Sequence, residues 1–132
     1  MTRAKDIMTT ELIFARPTMT IEEAIKTLVN NRITGMPVVD ENHHMVGIVS
    51  EYDIISTIEA VEEDRPLDLK RTIDFSHKTT SIQEDTPLPV ILRQFVERKV
   101  RRLPVLNKEQ RLVGIITRRD IMRVLFYRSK TL

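Results

Sequence analysis

The chain has 132 residues, of which 41% are hydrophobic and 30% charged, with a formal net charge of +2. That composition describes one globular domain or two half-sized units, and no apolar run approaches the ~18 residues of a membrane span. With no cysteine at all, disulfides, thiolate metal sites and cysteine nucleophiles are excluded.

The leading stretch Met1–Thr10 lacks the apolar core of a secretory signal, so a cytoplasmic location is expected. Asp6–Thr10 reads as a short leading segment, and Leu12–Ala15 as a short strand. Thr20 opens a helix: its hydroxyl can cap the first turn, and Glu23 completes a capping box. Ile21, Ala24, Ile25, Leu28 and Val29 then form an amphipathic stripe predicted to be core. Met36–Val39 and Met45–Val49 are short apolar runs around Asp40-Glu41-Asn42-His43-His44, the pattern of a β-hairpin. A second helix is predicted from Ser50. The acidic, proline-containing stretch Glu59–Lys70 reads as a helix end and a linker.

The same series then recurs 67 positions later. Ile33–Ile55 lies without a gap on Val100–Met122, and Pro37, Val38, Val46, Gly47, Ile48, Asp53 and Ile54 meet identical residue types at Pro104, Val105, Val113, Gly114, Ile115, Asp120 and Ile121. A fixed offset of this kind marks an internal duplication. In the second copy Thr86 is the expected helix cap, with Pro87 at the first helical position. Leu88, Ile91, Leu92, Phe95 and Val96 form the equivalent stripe. Leu103–Leu106 and Leu112–Ile116 form the equivalent hairpin, and a helix follows from Thr117. Each repeat reads as strand–helix–strand–strand–helix, an α/β (α+β) unit. The expected boundaries are residues 1–60 for the first repeat, 61–72 for the linker and 73–132 for the second. One repeat of about 60 residues would bury too little surface to be comfortably stable, so the two are expected to share one fold.

Charge is split between the halves. Residues 1–66 hold 6 Lys/Arg against 12 Asp/Glu, and residues 67–132 hold 15 against 7. Either the two surfaces attract each other or the basic half receives an anion.

No catalytic constellation is visible. There is no nucleophile elbow, and the three glycines form neither a Walker nor a dinucleotide pattern. His43 and His44 sit on a hairpin tip without carboxylate or cysteine at ligand spacing, the pattern of a solvated turn rather than a metal site. The repeated Gly-h-h-[Ser/Thr]-x-x-Asp, Gly47–Asp53 and Gly114–Asp120, carries more information. Ser/Thr followed three residues later by Asp is a helix N-terminus in its own right. The same junction can also hold a ligand, because a carboxylate accepts from both ribose hydroxyls and free helix N–H groups suit a phosphate. The junction alone leaves both readings open.

Two copies of strand–helix–h-Pro-Val-h-turn-h-h-Gly-h-h-[Ser/Thr]-x-x-Asp resemble the CBS domain pair, or Bateman module, over about residues 4–127. The resemblance implies repeats packed through their sheets with pseudo-two-fold symmetry and two clefts for adenosine-containing ligands. AMP, ADP or ATP are the expected regulatory ligands, with S-adenosylmethionine ranked after them. It further implies a non-enzymatic sensor, a homodimer and an unidentified protein partner. For the first cleft it assigns Asp120 to ribose, Thr117 and Arg119 to polar contacts, and Arg102 with Arg101 to phosphate. Met8, Ile13, Ile33 and Thr34 form the adenine wall of that cleft. For the second it assigns Asp53, Ser50 and Tyr52, with Phe75, Thr80, Val100 and Arg101 facing the base. Gly35 stands where the first cleft has Arg102, so the second is expected to bind phosphate more weakly. Two other readings remain: nucleic-acid binding by the basic repeat, disfavoured by the lack of interleaved aromatics, and a purely structural dimerisation module.

Overall fold

The computed structural model describes residues 1–61, 66 and 68–131. The expected linker over 61–72 therefore lies partly outside the described residues. The elements run α1 (Ala4–Ile7), α2 (Ile21–Asn31), β1 (Gly35–Val39), β2 (Met45–Ser50), α3 (Glu51–Glu59), β3 (Ile82–Gln83), α4 (Leu88–Arg98), β4 (Arg102–Leu106), β5 (Leu112–Thr117) and α5 (Arg118–Thr131). They form two compact units that do not follow the sequence repeats: residues 13–79 make one, and residues 1–12 with 80–132 make the other. The segment before each repeat has packed into the unit built by the other repeat. Sequence boundaries at 60 and 73 follow the duplication, whereas compactness follows this exchange.

In the unit of residues 13–79, β1 and β2 pair antiparallel with Val38 opposite Gly47 and Gly35 opposite Ser50. The turn between them is closed by Asp40, whose Oδ1 accepts from the N–H groups of Asn42 and His44 at 2.9 Å. The predicted strand over Leu12–Ala15 is reduced to one parallel bridge, Ala15 to Val38. Thr20 caps α2 as expected, accepting from the Glu23 N–H at 3.1 Å. Ile21, Ala24, Leu28, Met36, Val38, Val49, Ile54 and Ile73 fill the core. Ile73 comes from the segment ahead of the second repeat. Its N–H donates to the Met19 carbonyl, and the Ile21 N–H donates to the Arg71 carbonyl, so the segment also closes the start of α2.

The other unit repeats this plan. Here β4 and β5 pair with Val105 opposite Gly114, and β3 adds a short parallel strand, Ile82 opposite Val105. Its core is Ala4, Ile82, Leu88, Ile91, Leu103, Val105, Ile116 and Ile121. Thr86 does not cap α4. Its hydroxyl oxygen accepts from the Gln83 N–H at 3.1 Å, Pro87 occupies the cap position, and the Leu88 N–H donates to the Thr2 carbonyl at 3.0 Å. A backbone carbonyl from the exchanged segment thus satisfies the helix end that the threonine was expected to satisfy. The last members of both predicted stripes also differ from expectation. Val29 and Val96 are 67% and 76% exposed, because each helix buries only the narrower face turned to its two-stranded hairpin.

The exchanged segments lie directly on the hairpins. Thr9 exchanges two backbone hydrogen bonds with Ile115, and Ser76 exchanges two with Ile48, at 2.8–3.0 Å. One residue earlier in each segment, Met8 and Phe75 cross the strand over Gly114 and Gly47. A side chain at either glycine would strike them, which is why both positions carry none. The two are unequal. A Cβ on Gly47 would meet the Ser76 backbone oxygen and the Phe75 ring, but on Gly114 only the Met8 side chain. Gly47→Ala is therefore expected to cost about 1–3 kcal/mol and Gly114→Ala less, since a thioether chain re-packs where backbone cannot. Urea unfolding of both variants checks the order.

Candidate functional site

Each second helix starts from a reciprocal hydrogen-bonded box. In one unit the Asp53 carboxylate accepts from the Ser50 N–H at 2.8 Å and from the Ser50 hydroxyl at 2.9 Å, while the Asp53 N–H returns to that hydroxyl at 3.3 Å. In the other, Asp120 accepts from the Thr117 N–H at 2.8 Å and its hydroxyl at 3.0 Å, and the Asp120 N–H returns at 3.2 Å. Both boxes use carboxylate Oδ2. The first helical N–H is also tied down, from Glu51 to the Thr34 carbonyl and from Arg118 to the Arg101 carbonyl. The residue before each β-hairpin is thereby locked to the helix that follows it, and the carboxylate is held rigid at the strand-to-helix corner. The capping reading of this motif is seen directly in the geometry.

Beyond the box the two corners diverge in charge. Asp120 is 8% exposed, a buried charged residue at the head of α5, and its Oδ1 lies 3.7 Å from Nη1 of Arg123. Arg101, Arg118 and Arg119 are exposed around it and Arg102 is half-buried on β4 opposite Thr117. Arg118 is oriented by its Nε, which donates to the Val100 carbonyl at 3.1 Å. The equivalent places around Asp53 hold Thr34, Glu51, Tyr52, Ser56 and, opposite Ser50, Gly35. One corner is cationic; the other is neutral to acidic.

The exchanged segments bring part of each expected site together. Met8 shares a unit with Asp120, Thr117, Arg119, Arg102 and Arg101, lying on Gly114 of the strand that leads to Thr117. Phe75 shares a unit with Asp53, Ser50 and Tyr52, lying on Gly47. Ile13, Ile33 and Thr34, expected opposite Asp120, belong to the unit of residues 13–79, and Thr80 and Val100, expected opposite Asp53, belong to the unit of Asp120. Thr80 there accepts from Arg98 at 3.4 Å.

The Asp53 corner also opens into a cavity of about 360 Å³. Asp53, Ser56 and Thr57 line it from α3 and Ala60 from the residue that ends that helix, with Asp74, Phe75 and Ser76 on the exchanged segment. Only Asp53 and Phe75 of these were singled out from the sequence. The others escaped because the corner motif stops at the aspartate, whereas the helix carries the wall on for two further turns. Reading α3 at helical spacing from Asp53 would have found Ser56, Thr57 and Ala60.

His43 stacks edge-on against Phe14 with ring centroids 5.0 Å apart, and His44 Nδ1 lies 3.7 Å from Asp40. Among the described residues, no helix is long and apolar enough to cross a membrane.

Comparison with known proteins supports the same architecture. The CBS domain family matches this chain twice, over residues 4–60 and 72–127. The chain is 33% identical over 138 aligned residues to the chloroplastic CBS domain-containing protein CBSX1 of Arabidopsis thaliana, covering 86% of this chain. It spans 58% of CBSX1 and 56% of the related CBSX2, so somewhat over half the length of these relatives. Among solved structures, the CBS domain pair of protein MJ0100 in complex with 5′-methylthioadenosine and S-adenosyl-L-methionine superposes with a TM-score of 0.78 at 29% identity, covering 96% of this chain and 98% of that one. CBSX2 in complex with AMP gives a TM-score of 0.78 at 27% identity and the same coverage of both chains. On the strength of both repeat matches and of these folds, the chain belongs to the CBS domain family, as a tandem pair.

Proposed function

We propose that this chain is a non-enzymatic regulatory module that binds an adenosine-containing ligand, and that its Asp120 corner is the nucleotide site. The observation that carries the reading is the conjunction of a rigid, buried carboxylate with the arginines around it in one compact unit. Asp120 would accept from the ribose hydroxyls. Arg102 would take the phosphate, helped by Arg101, because guanidinium groups form bidentate, charge-assisted hydrogen bonds with phosphate oxygens. Met8 would supply an apolar wall for the base, and Thr117 and Arg119 further polar contacts. AMP, ADP and ATP fit the cationic corner better than S-adenosylmethionine does. The structures of related CBS pairs with AMP and with S-adenosyl-L-methionine support an adenosine class of ligand. Ligand binding would bias the packing of the pair and so its affinity for a partner protein.

Ligand at 100 times its dissociation constant is expected to stabilise the fold by about 2.7 kcal/mol, readable as a thermal shift with AMP, ADP or ATP. Arg102→Ala is expected to cost roughly 2 kcal/mol of AMP binding, near 30-fold in Kd, while leaving adenosine binding almost unchanged. Calorimetry on that variant checks the split, and an equal loss for both ligands would contradict a phosphate role. Asp120→Asn should weaken all adenosine ligands, and Asp53→Asn should weaken AMP less than Asp120→Asn does.

The exposed faces of the second helices support a reading of self-association. Tyr52 and Ile55 on α3, and Met122 and Phe126 on α5, stay more than half exposed. Helix α3 is acidic through Glu51, Asp53 and Glu59, and α5 begins with Arg118 and Arg119. Both helices offer apolar side chains with charges of opposite sign, which suits a homodimer placing α3 of one copy on α5 of the other. Sedimentation should show a dimer that weakens between roughly 0.05 and 0.5 M salt, as screening shortens the Debye length.

A further inference from the structure

The unit that contains Asp120 holds another cavity, further along α5 and built from different residues. Its volume is about 480 Å³, within the range of small-ligand pockets. Leu88, Pro89 and Leu92 line it from α4, Leu125 and Arg128 from α5, and Thr2 from the leading segment. Leu88 and Leu92 stand four residues apart on one helix, and Leu125 and Arg128 three apart on the other, so each helix turns one face to the cavity. Thr2 ties the walls together. Its carbonyl accepts from the Leu88 N–H at 3.0 Å, and its hydroxyl accepts from the Arg128 guanidinium. A cation is thus fixed at the rim of an aliphatic space.

The equivalent place in the unit of residues 13–79 is furnished differently. At the offset of 67 positions, Thr2, Leu88, Leu92 and Leu125 correspond to Leu69, Ile21, Ile25 and Ile58. The Leu69 carbonyl serves the start of α2 much as Thr2 serves α4, accepting from the Glu22 N–H at 2.8 Å. The Leu69 side chain, however, packs on its core together with Ile25 and Ile58. Thr2 brings a shorter and more polar side chain to that position, and Leu125 is left 44% exposed. Arg128 likewise stands where the other copy has Val61. Two substitutions have replaced an apolar filling with a space and a positive charge.

From this pairing of an aliphatic cavity with an anchored guanidinium we infer that the cavity binds a free carboxylate on an aliphatic chain, of the medium-chain fatty acid class. The chain covers Leu88, Leu92 and Leu125, withdrawing apolar surface from water. The carboxylate meets Arg128, since a guanidinium carries its charge at any physiological pH and pairs with carboxylates through directed hydrogen bonds. None of the residues assigned to the nucleotide takes part, so this site stands or falls separately from the Asp120 corner.

Calorimetry on the full chain with hexanoate, octanoate and decanoate, each kept below micelle formation, tests the assignment. Each added methylene is expected to tighten binding roughly twofold to fourfold, the scale of its transfer out of water. The uncharged 1-decanol is expected to bind about threefold to tenfold more weakly than decanoate, the scale of one exposed ion pair. Arg128→Gln, at an exposed side chain, should bring decanoate down to the level of decanol and leave decanol unchanged. Thr2→Leu, which restores the leucine of the other copy, should abolish binding of both, with urea unfolding showing that the fold is kept. The inference is overturned if decanoate does not bind, or if it binds the Thr2→Leu chain as tightly as the parent. It is equally overturned if Arg128→Gln changes decanoate and decanol alike or changes neither. Binding to phosphatidylglycerol vesicles without binding of decanoate in solution would assign the surface to a membrane and overturn it too.

Discussion

The crossing of an exchanged segment over a glycine, Met8 on Gly114 and Phe75 on Gly47, is the contact on which the rest of the architecture depends. A two-stranded hairpin with two helices has an open strand flank and too small a core to stand alone. Each hairpin is closed by the segment that precedes the other repeat, through paired backbone hydrogen bonds at Thr9–Ile115 and Ser76–Ile48. The same segments deliver Ala4 and Ile73 to the two cores. Neither repeat is complete without the chain leading into its copy. This gives a physical reason for the repeats to occur as a pair.

The same contact shapes the candidate site. A glycine three residues before the corner serine or threonine lets the segment come close, and on one side this puts Phe75 in the same cavity wall as Asp53. The carboxylate is already fixed, because its Oδ2 is engaged by the box that starts the helix. Folding and the proposed binding would therefore draw on one set of hydrogen bonds. A ligand would find an acceptor whose orientation has been settled by folding, which lowers the ordering cost of binding.

Much of this was legible in the sequence, for identifiable reasons. The hairpins and both corner boxes are local and obey short-range rules, so Asp40, Ser50, Asp53, Thr117 and Asp120 behave as their spacing predicted. The duplication alone sets Gly35 against Arg102. What escaped was non-local. Periodicity cannot tell which copy a leading segment will cover, so the exchange at residues 12–13 and 79–80 was hidden. Thr86 was expected to cap a helix that in the fold is served by the Thr2 carbonyl, a partner 86 positions from Leu88 in neither motif nor pattern. Val29 and Val96 fit the helical stripe but not the width of the surface it packs on. The cavity beside Asp53 depended on small residues along α3, which carry little signal as a string and matter only once Phe75 stands opposite them.

The two corners share one backbone plan and differ in charge, one cationic and the other neutral to acidic. Duplication supplied two capped corner carboxylates, Asp53 and Asp120, and substitution at Gly35/Arg102 and Ser56/Arg123 made their surroundings unequal. The most direct test of this account is the stoichiometry of AMP binding, measured by native mass spectrometry across a titration at fixed protein concentration. The account predicts one high-affinity AMP per chain at saturation, lost in Arg102→Ala. Two equivalent AMP molecules per chain, or one that survives Arg102→Ala unchanged, would contradict it.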